Sequence, residues 1–350
     1  MSTARKFRSG VATAAAMLLV AGLASTASHA TTLSPRQGSA AQSATTPKLK
    51  LLWHEEYNGK KGLPPSVQTS MQNEKSWHNW TTTVTGMPDN KERQFYTDGV
   101  VQYNASGSIA HRAIELDGTG HLAINAVRPQ ARTSKHPGTY PKDYCVYGRC
   151  EYLSGRMDTS GKLGFKFGQI EARIKIPSGE GTWPAFWMLG SSINTGVSWP
   201  TCGEIDIMEA SASNRPSSIF GSIHSYPDDG FGMTSSAYPD NFYTKFHTYG
   251  LRWSYNKLDF LIDGEIYQTL TKADVTSEQI QVEDQGLVSR QYPFNKEFFL
   301  ILNVAMGGTL GGDQDGQVTR VNGALPAGGT MLVDYIRYYS VNGQGQVIKH

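Results

Sequence analysis

The 350-residue sequence has little cysteine, no strong excess of either charge, and no long apolar run beyond its N-terminus. Its formal net charge is only +2 at pH 7. A near-neutral chain offers no electrostatic footprint for nucleic acid or for an anionic membrane, so neither partner is expected. No later apolar run approaches the ~20 residues that cross a bilayer. An uncharged ligand fits this composition better.

Several catalytic motifs are missing as well. The sequence has no His-Glu-x-x-His zinc motif, no Walker loop and no Gly-x-Ser-x-Gly elbow. The Gly-rich segment 307–312 lacks the strand and helix that flank a phosphate loop, so we interpret it as a loop at the rim of a cleft. Asp313 and Asp315 hint at an ion-binding loop but lack further ligands.

The chain has three cysteines, which cannot all pair within one molecule. Cys145 and Cys150, separated by four residues, are candidates for a small disulfide loop that leaves Cys202 as the odd thiol. Spacing alone does not settle this pairing.

The N-terminal region has the features of an export signal. Within residues 1–30, the basic residues Arg5, Lys6 and Arg8 precede an apolar stretch, and Ser28-His29-Ala30 forms a small-x-small cleavage site. This order is typical of a secretory signal peptide, so we expect a secreted, extracellular protein. Residues 31–48 are rich in Thr, Ser and Ala and predict a flexible leader. Residues 49–350 then form a single catalytic domain, which we expect to be monomeric.

Strand patterns dominate that domain. Gln169–Ile176 alternates apolar and charged residues, and Leu258–Ile262, Asp263-Gly264 and Glu265–Leu270 form a hairpin pattern. Phe298–Val304 is almost continuously apolar, as in an inner strand. Only Thr271–Glu283 has partly helical character. We predict an all-β fold of two packed antiparallel sheets.

The segment with the most functional information contains three acids in an apolar run. Glu204, Asp206 and Glu209 are spaced two and three residues apart. On a helix Glu204 and Asp206 would point about 200° apart, whereas on a strand they share one face. Glu209 joins them only if a β-bulge near Met208 shifts it by one residue. The alternative is a solvated strand face that happens to be acidic.

Three carboxylates on one face suit glycoside hydrolysis. In a retaining enzyme two carboxyl groups ~5 Å apart act as nucleophile and as acid/base. Asp206 would lie between Glu204 and Glu209, and its charge would help to keep the acid protonated.

The surrounding segments resemble the laminarinases, endo-β-1,3-glucanases of glycoside hydrolase family 16. The resemblance is carried by Tyr152–Arg156, Phe167–Arg173, Trp183–Gly190, Trp199–Ala210, Gly221–His224 and Met331–Arg337. It covers nearly everything from residue 51 to residue 341, and the Glu-x-Asp-x-x-Glu spacing matches the laminarinase-like variant of the family. The resemblance implies a β-jelly roll with a concave substrate cleft.

The resemblance also implies roles for individual residues. Glu204 matches the nucleophile, Asp206 the residue that holds and tunes it, and Glu209 the general acid/base. The positions that match sugar-contacting residues are Asn90, Arg156, Trp183, Trp187, Trp199 and His224. An indole face suits the apolar face of a pyranose. For Trp183 core packing stays an alternative, and for His224 a hydrogen-bonded strand histidine does.

The chemistry implied by the resemblance requires no cofactor. The family pattern does imply a structural calcium ion, for which Glu56, Gly120 and Asp334 are the matching positions. The expected partner is a β-glucan polysaccharide.

Other functions stay open. After His224 the chain continues with Ser225-Tyr226-Pro227-Asp228 instead of the usual Gly-rich stretch, which leaves another β-glucan or a galactan as alternative substrates. A transglycosylase would use the same intermediate. A non-catalytic glucan-binding protein would be expected to have lost Glu204 or Glu209, and both are present.

Overall fold

Most of the described chain forms β-strands. The computed structural model describes residues 46–62, 80–83, 85–86, 89–139, 150–211, 215–237, 242–312 and 315–350. The predicted signal peptide, residues 31–45 of the predicted leader, Cys145 and Asp313 lie outside these ranges. Residues Pro47–His350 group into one compact unit, to which everything below refers.

The strands are numbered in chain order. They are β1 (Leu49–Glu56), β2 (Thr81–Thr82), β3 (Thr85–Gly86), β4 (Gln94–Tyr96), β5 (Val100–Tyr103), β6 (Ile109–Arg112), β7 (Ile114–Leu116), β8 (Leu122–Val127), β9 (Tyr152–Ser154), β10 (Arg156–Asp158), β11 (Leu163–Lys166), β12 (Gly168–Lys175), β13 (Thr182–Gly190), β14 (Glu204–Ser211), β15 (Arg215–Ser225), β16 (Asp228–Ala237), β17 (His247–Ser254), β18 (Lys257–Ile262), β19 (Glu265–Thr271), β20 (Gln279–Val282), β21 (Gly286–Ser289), β22 (Phe298–Met306), β23 (Gly328–Val341) and β24 (Gln346–Lys349). The helices are α1 (Lys272–Ser277) and α2 (Gly308–Gly311), with 3₁₀ turns at Asp89–Lys91, Ser191–Thr195 and Phe242–Thr244.

Two large sheets organise these strands within the described chain. Sheet A has the order β19-β18-β17-β12-β23-β8-β9-β4-β3, with β1 paired to β23 and β7 to β8. Sheet B has the order β16-β15-β14-β13-β22-β10-β2, with β11 joining β22 to β24. The pairings are antiparallel apart from β4 with β9. The predicted all-β jelly-roll sandwich is confirmed, with this one parallel pair as an addition.

The core lies between the sheets and follows from alternating side chains. In β12 of sheet A, Ile170, Ala172 and Ile174 are buried, whereas the charged residues between them are partly exposed. In sheet B, Phe186 and Met188 of β13 enter the same core. The period of two in these strands therefore assigns one face to the core and leaves the other free.

The central strand of sheet B is buried on both faces. Every residue of β22 is buried, as its apolar run predicts. Phe298, Leu300 and Leu302 belong to the main core. Phe299 and Ile301 face the other way and form a second cluster with Cys202. This second cluster supports the sheet face on which the acidic residues lie.

The local turn and helix predictions are also confirmed. β18 and β19 form a hairpin in which Asp263 and Gly264 both have positive φ, 50° and 87°, as a tight Asp-Gly turn requires. Helix α1 begins at a capping box between Thr271 and Asp274.

The described residues contain no helix that is long and apolar enough to span a membrane.

Cys150 is disulfide-bonded, and Cys202 is a buried free thiol, as predicted. The pairing of Cys150 with Cys145 stays a prediction, because Cys145 lies outside the described residues.

Truncation of Leu302 tests whether the inter-sheet core carries the stability. Leu302 is 0% exposed and Leu51, in β1, is 45% exposed. We expect Leu302→Ala to lower the free energy of unfolding by about 2–5 kcal/mol, because it leaves a cavity. The matched control Leu51→Ala should cost less than about 1 kcal/mol. Urea unfolding followed by tryptophan fluorescence measures both, and equal losses would contradict this description of the core.

Candidate active site

The three predicted carboxylates lie on one strand of sheet B. In the pairing of β13 with β14, Trp187 lies opposite Asp206 and Phe186 lies opposite Met208, so Ile207 is the extra residue of a β-bulge. The bulge returns Glu209 to the face of Glu204 and Asp206 and leaves Ile207 and Met208 in the core. The register confirms the bulge that the acid spacing required.

Asp206 is the most buried member of the cluster. It is 3% exposed and accepts a hydrogen bond of 2.6 Å from the Ser222 hydroxyl. His224 Nε2 lies 3.1 Å from the same Asp206 oxygen and 3.8 Å from Glu204 Oε1. Ser222 and His224 occupy β15 directly opposite Asp206 and Glu204. The neighbouring strand therefore supplies the donors that a buried carboxylate needs.

Each glutamate has its own indole donor. Trp183 Nε1 donates to Glu209 Oε1 over 2.7 Å, and Trp199 Nε1 donates to Glu204 Oε2 over 2.9 Å. Trp199 is 43% exposed, and its ring lies 5.9 Å from that of His224. These contacts orient the carboxylates and place both rings at the cleft. Trp183 therefore does more than pack in the core.

A third indole is held by a buried polar chain. Trp187 Nε1 donates to Asn303 Oδ1 over 2.7 Å, and Asn303 Nδ2 donates to the Tyr96 hydroxyl over 3.1 Å. The Arg156 guanidinium lies 4.9 Å from the Trp187 ring centre. Trp187 also packs against the second apolar cluster, so the ring is fixed in position where it lines the cleft.

Burial and mutual repulsion change how the two glutamates bind protons. Burial and the Asp206 charge raise the pKa of Glu209 to about 8. The same two causes raise the pKa of Glu204 well above its usual value, and the charge of His224, which lies 3.8 Å from Glu204 Oε1, opposes them. A cation this close favours the ionised form of Glu204.

His224 supplies the compensating positive charge. Burial alone would lower the pKa of His224, but the hydrogen bond and charge of Asp206, together with both glutamates, raise it to about 9. At neutral pH the ring is therefore a cation beside Asp206 and Glu204. The structure brings His224 to the carboxylates, where it partly neutralises their charge.

The described residues around the acids enclose a cleft of about 380 Å³. The lining residues that the sequence predicted are Asn90, Arg156, Trp183, Trp187, Trp199, Glu204, Asp206 and Glu209. The lining residues that the sequence analysis did not single out are Glu92, Tyr96, Ala185, Leu189, Ile193, Asn303 and Ala305. Asn303 could have been found, because it is the polar residue within an otherwise apolar strand pattern.

The Gly-rich segment 307–312 supports the cleft from behind. Gly308 has a φ of +75°, and a Cβ there would lie 2.8 Å from the Asn90 carbonyl oxygen and 3.1 Å from the Trp183 ring. Ser211 Oγ donates to the Leu310 carbonyl over 2.6 Å. The segment forms helix α2, which packs against two lining residues.

The residues of the implied calcium site lie on β1, β23 and the turn before β8. Arg337 donates to Glu56 over 3.0 Å, and Arg173 donates to Asp334 over 2.5 Å. Both carboxylates therefore already have a cationic partner, which contacts Glu56 at Oε1 and Asp334 at Oδ2. Gly120 has a positive φ of 101°.

Known proteins are similar to this chain in sequence and in fold. The profile described as Glycosyl hydrolases family 16 matches residues 117–290. A glucan endo-1,3-beta-glucosidase of Cryptopygus antarcticus is 32% identical over 257 residues, which cover 72% of this chain and 83% of that protein. Glucan endo-1,3-beta-glucosidase A1 of Niallia circulans is 29% identical over 83% of this chain, which spans only 38% of that longer protein.

A solved structure is also similar to this chain in fold. The catalytic domain of an endo-1,3-beta-glucanase (laminarinase) from Thermotoga petrophila superposes with a TM-score of 0.60 at 28% identity, covering 85% of this chain and 100% of that domain. The sequence relatives, the profile and the structural neighbour all indicate the same family. The chain belongs to glycosyl hydrolases family 16, as a laminarinase-like glycoside hydrolase of that family.

Proposed function

We propose that the protein is an exported endo-glycosidase that hydrolyses β-1,3-glucan with retention of configuration by double displacement. The observation that carries the proposal is the placement of Glu204 and Glu209 on one cleft face, with His224 favouring the ionised form of Glu204. Export rests on the signal-peptide pattern of residues 1–30. One ionised and one protonated carboxyl group is the arrangement that a retaining glycosidase needs.

In the first step the Glu204 carboxylate attacks the anomeric carbon while Glu209 gives its proton to the departing glycosidic oxygen. The Trp199 indole, which donates to Glu204 Oε2, orients one carboxylate oxygen and leaves Oε1 for the attack. Asp206 lies between them, held by Ser222 and His224. Its negative charge stabilises the positive charge that develops on the sugar.

In the second step Glu209, now ionised, takes a proton from water, and that water displaces Glu204 from the anomeric carbon. The Trp183 indole donates to Glu209 in either step, so it holds the carboxyl group in position while its protonation changes. Two inversions at the same carbon restore the original configuration.

The substrate proposal rests on the aromatic lining and on the names of the relatives. Trp183, Trp187 and Trp199 all reach the cleft, and indole surfaces suit stacked pyranose rings. The sequence relatives described above are named for glucan endo-1,3-beta-glucosidase activity, which supports a β-1,3-glucan over a galactan.

Product analysis tests the substrate. We expect purified protein to cut laminarin and curdlan internally and to leave agarose and β-1,3-galactan intact. The products should be oligosaccharides whose length decreases as the reaction proceeds. Chromatography of the products over time distinguishes internal cleavage from release at chain ends. The inactive control is Glu204→Gln, which keeps the side-chain shape. Cleavage of galactan or agarose without cleavage of laminarin would contradict the proposed substrate, and longer products than the starting chains would identify a transglycosylase.

The raised pKa of Glu209 makes a prediction about pH. Because the acid form of Glu209 persists to about pH 8, kcat/KM on laminarin should hold up to about that pH and then fall tenfold per unit. On the acid side, activity should fall as Glu204 becomes protonated. Since the pKa of Glu204 is also raised, that loss should begin above the usual carboxyl range of about 4.3. Activity that stays constant to pH 10 would contradict the role of Glu209.

Calcium at Glu56, Gly120 and Asp334 stays a prediction. If calcium binds there in the native state alone, added calcium should raise the melting temperature and EDTA should lower it. The matched variant is Asp334→Asn, in which the calcium effect should disappear. An unchanged melting temperature in calcium and in EDTA would show that the arginine pairs hold these carboxylates instead.

A further inference from the structure

A fourth carboxylate lies in the cleft, and the mechanism above does not use it. Glu92 precedes β4, forms a β-bridge with Gly307 and is only 7% exposed. Glu92 and Glu209 line the same cleft. A carboxylate buried at a reacting site is costly, so its presence there points to a function.

Glu92 is held close to Trp183, the indole that donates a hydrogen bond to Glu209. Gln94 Nε2 donates to the Glu92 carboxylate, and Gln94 Oε1 accepts from the Met306 backbone N–H over 2.7 Å. Gly308 contacts both Glu92 and Trp183, since a Cβ there would lie 3.2 Å from Glu92 Cγ and 3.1 Å from the Trp183 ring. Glu92 therefore lies on the side of the cleft where Trp183 donates to Glu209.

The charges around Glu209 come from several elements. Asp206 and Glu204 lie on the same strand, His224 lies on β15, and Glu92 lies before β4. Burial and Asp206 are the larger causes of the raised pKa of Glu209, and the Glu92 charge adds to them. Asp206 raises the pKa of both glutamates, and Glu92 adds to its effect at Glu209.

Two arginines and a tyrosine in this region have contacts of their own. Arg93 Nε and Nη2 donate to the Gly316 and Asp315 carbonyls over 3.3 and 3.1 Å. The Arg156 guanidinium covers the Trp187 ring. Burial and the Glu92 charge raise the pKa of Tyr96 well above its usual value, so Tyr96 stays neutral.

We propose that Glu92 is a positioning residue that holds the catalytic proton on Glu209, and thereby assigns the roles of acid and nucleophile to the two glutamates. This rests on the proposed function, in which Glu209 is the general acid. The negative charge of Asp206 alone would favour the protonated form of both glutamates and would not decide which of them holds the proton. Glu92 on one side and His224 on the other make the two sites unequal.

The pH profile of kcat/KM on laminarin tests the proposal. Glu92→Gln removes the charge and keeps the shape, so the alkaline limb should move to lower pH by about half to one unit, with the acid limb unmoved. Glu92→Asp keeps the charge and should move the limb less. The matched control is Asp259→Asn, which removes a carboxylate that is 1% exposed in sheet A and paired with Lys257. It should leave the limb in place.

Which of the two Glu92 variants differs more from wild type distinguishes a role of the Glu92 charge from a role of its packing. If Glu92 only supports Gln94, the isosteric Glu92→Gln should resemble wild type and the shortened Glu92→Asp should be the worse enzyme, which would overturn the proposal. An alkaline limb that coincides in Glu92→Gln and wild type would also overturn it. Thermal unfolding confirms that each variant folds. If Glu92→Gln does not fold, Glu92→Met, which also removes the charge, takes its place: an alkaline limb shifted to lower pH supports the proposal and an unshifted limb overturns it. Wild-type activity retained in Glu209→Ala would instead overturn the proposed function itself.

Discussion

The burial of three carboxylates on one strand is the constraint on which the site depends. Side by side in an apolar sheet, they repel one another and lose hydration, which strongly destabilises the ionised forms. The structure offsets this with at least one donor for each group: Trp199 for Glu204, Trp183 for Glu209, and both Ser222 and His224 for Asp206. The remaining repulsion is useful, because it keeps a proton in the site at the pH where an acid is needed.

The rest of the fold positions that strand. β14 lies between β13 and β15, so its cleft face receives tryptophans from one neighbour and Ser222 and His224 from the other. The opposite face of the same strands enters the core through residues such as Ile205 and Phe186. A change of register by one residue would exchange the two faces. The extra residue at Ile207 is therefore part of the active site even though its side chain lies in the core.

The sugar-contacting positions in the cleft were implied by the family resemblance. The alternating patterns and the acid spacing predicted the sheets, the hairpin at Asp263-Gly264 and the bulge. These features depend on local periodicity, which a sequence displays directly. The hydrogen bonds of Trp183 and Trp199 to the glutamates were not predicted, since they depend on how loops fold back over the sheet. Glu92 and Tyr96 were missed for a similar reason. They precede or form a short strand of sheet A, and no pattern in the sequence shows that it reaches the cleft of sheet B.

The most direct test of the central claim is the stereochemistry of azide rescue, which reports the side of the sugar on which each glutamate acts. With an activated aryl β-laminaribioside, Glu204→Ala should yield the α-glycosyl azide, because azide replaces the missing nucleophile. Glu209→Ala should form the covalent intermediate without needing an acid, and azide should then yield the β-glycosyl azide. Exchanged products would reverse the two roles. If either variant had wild-type activity without azide, that glutamate would have no part in the mechanism.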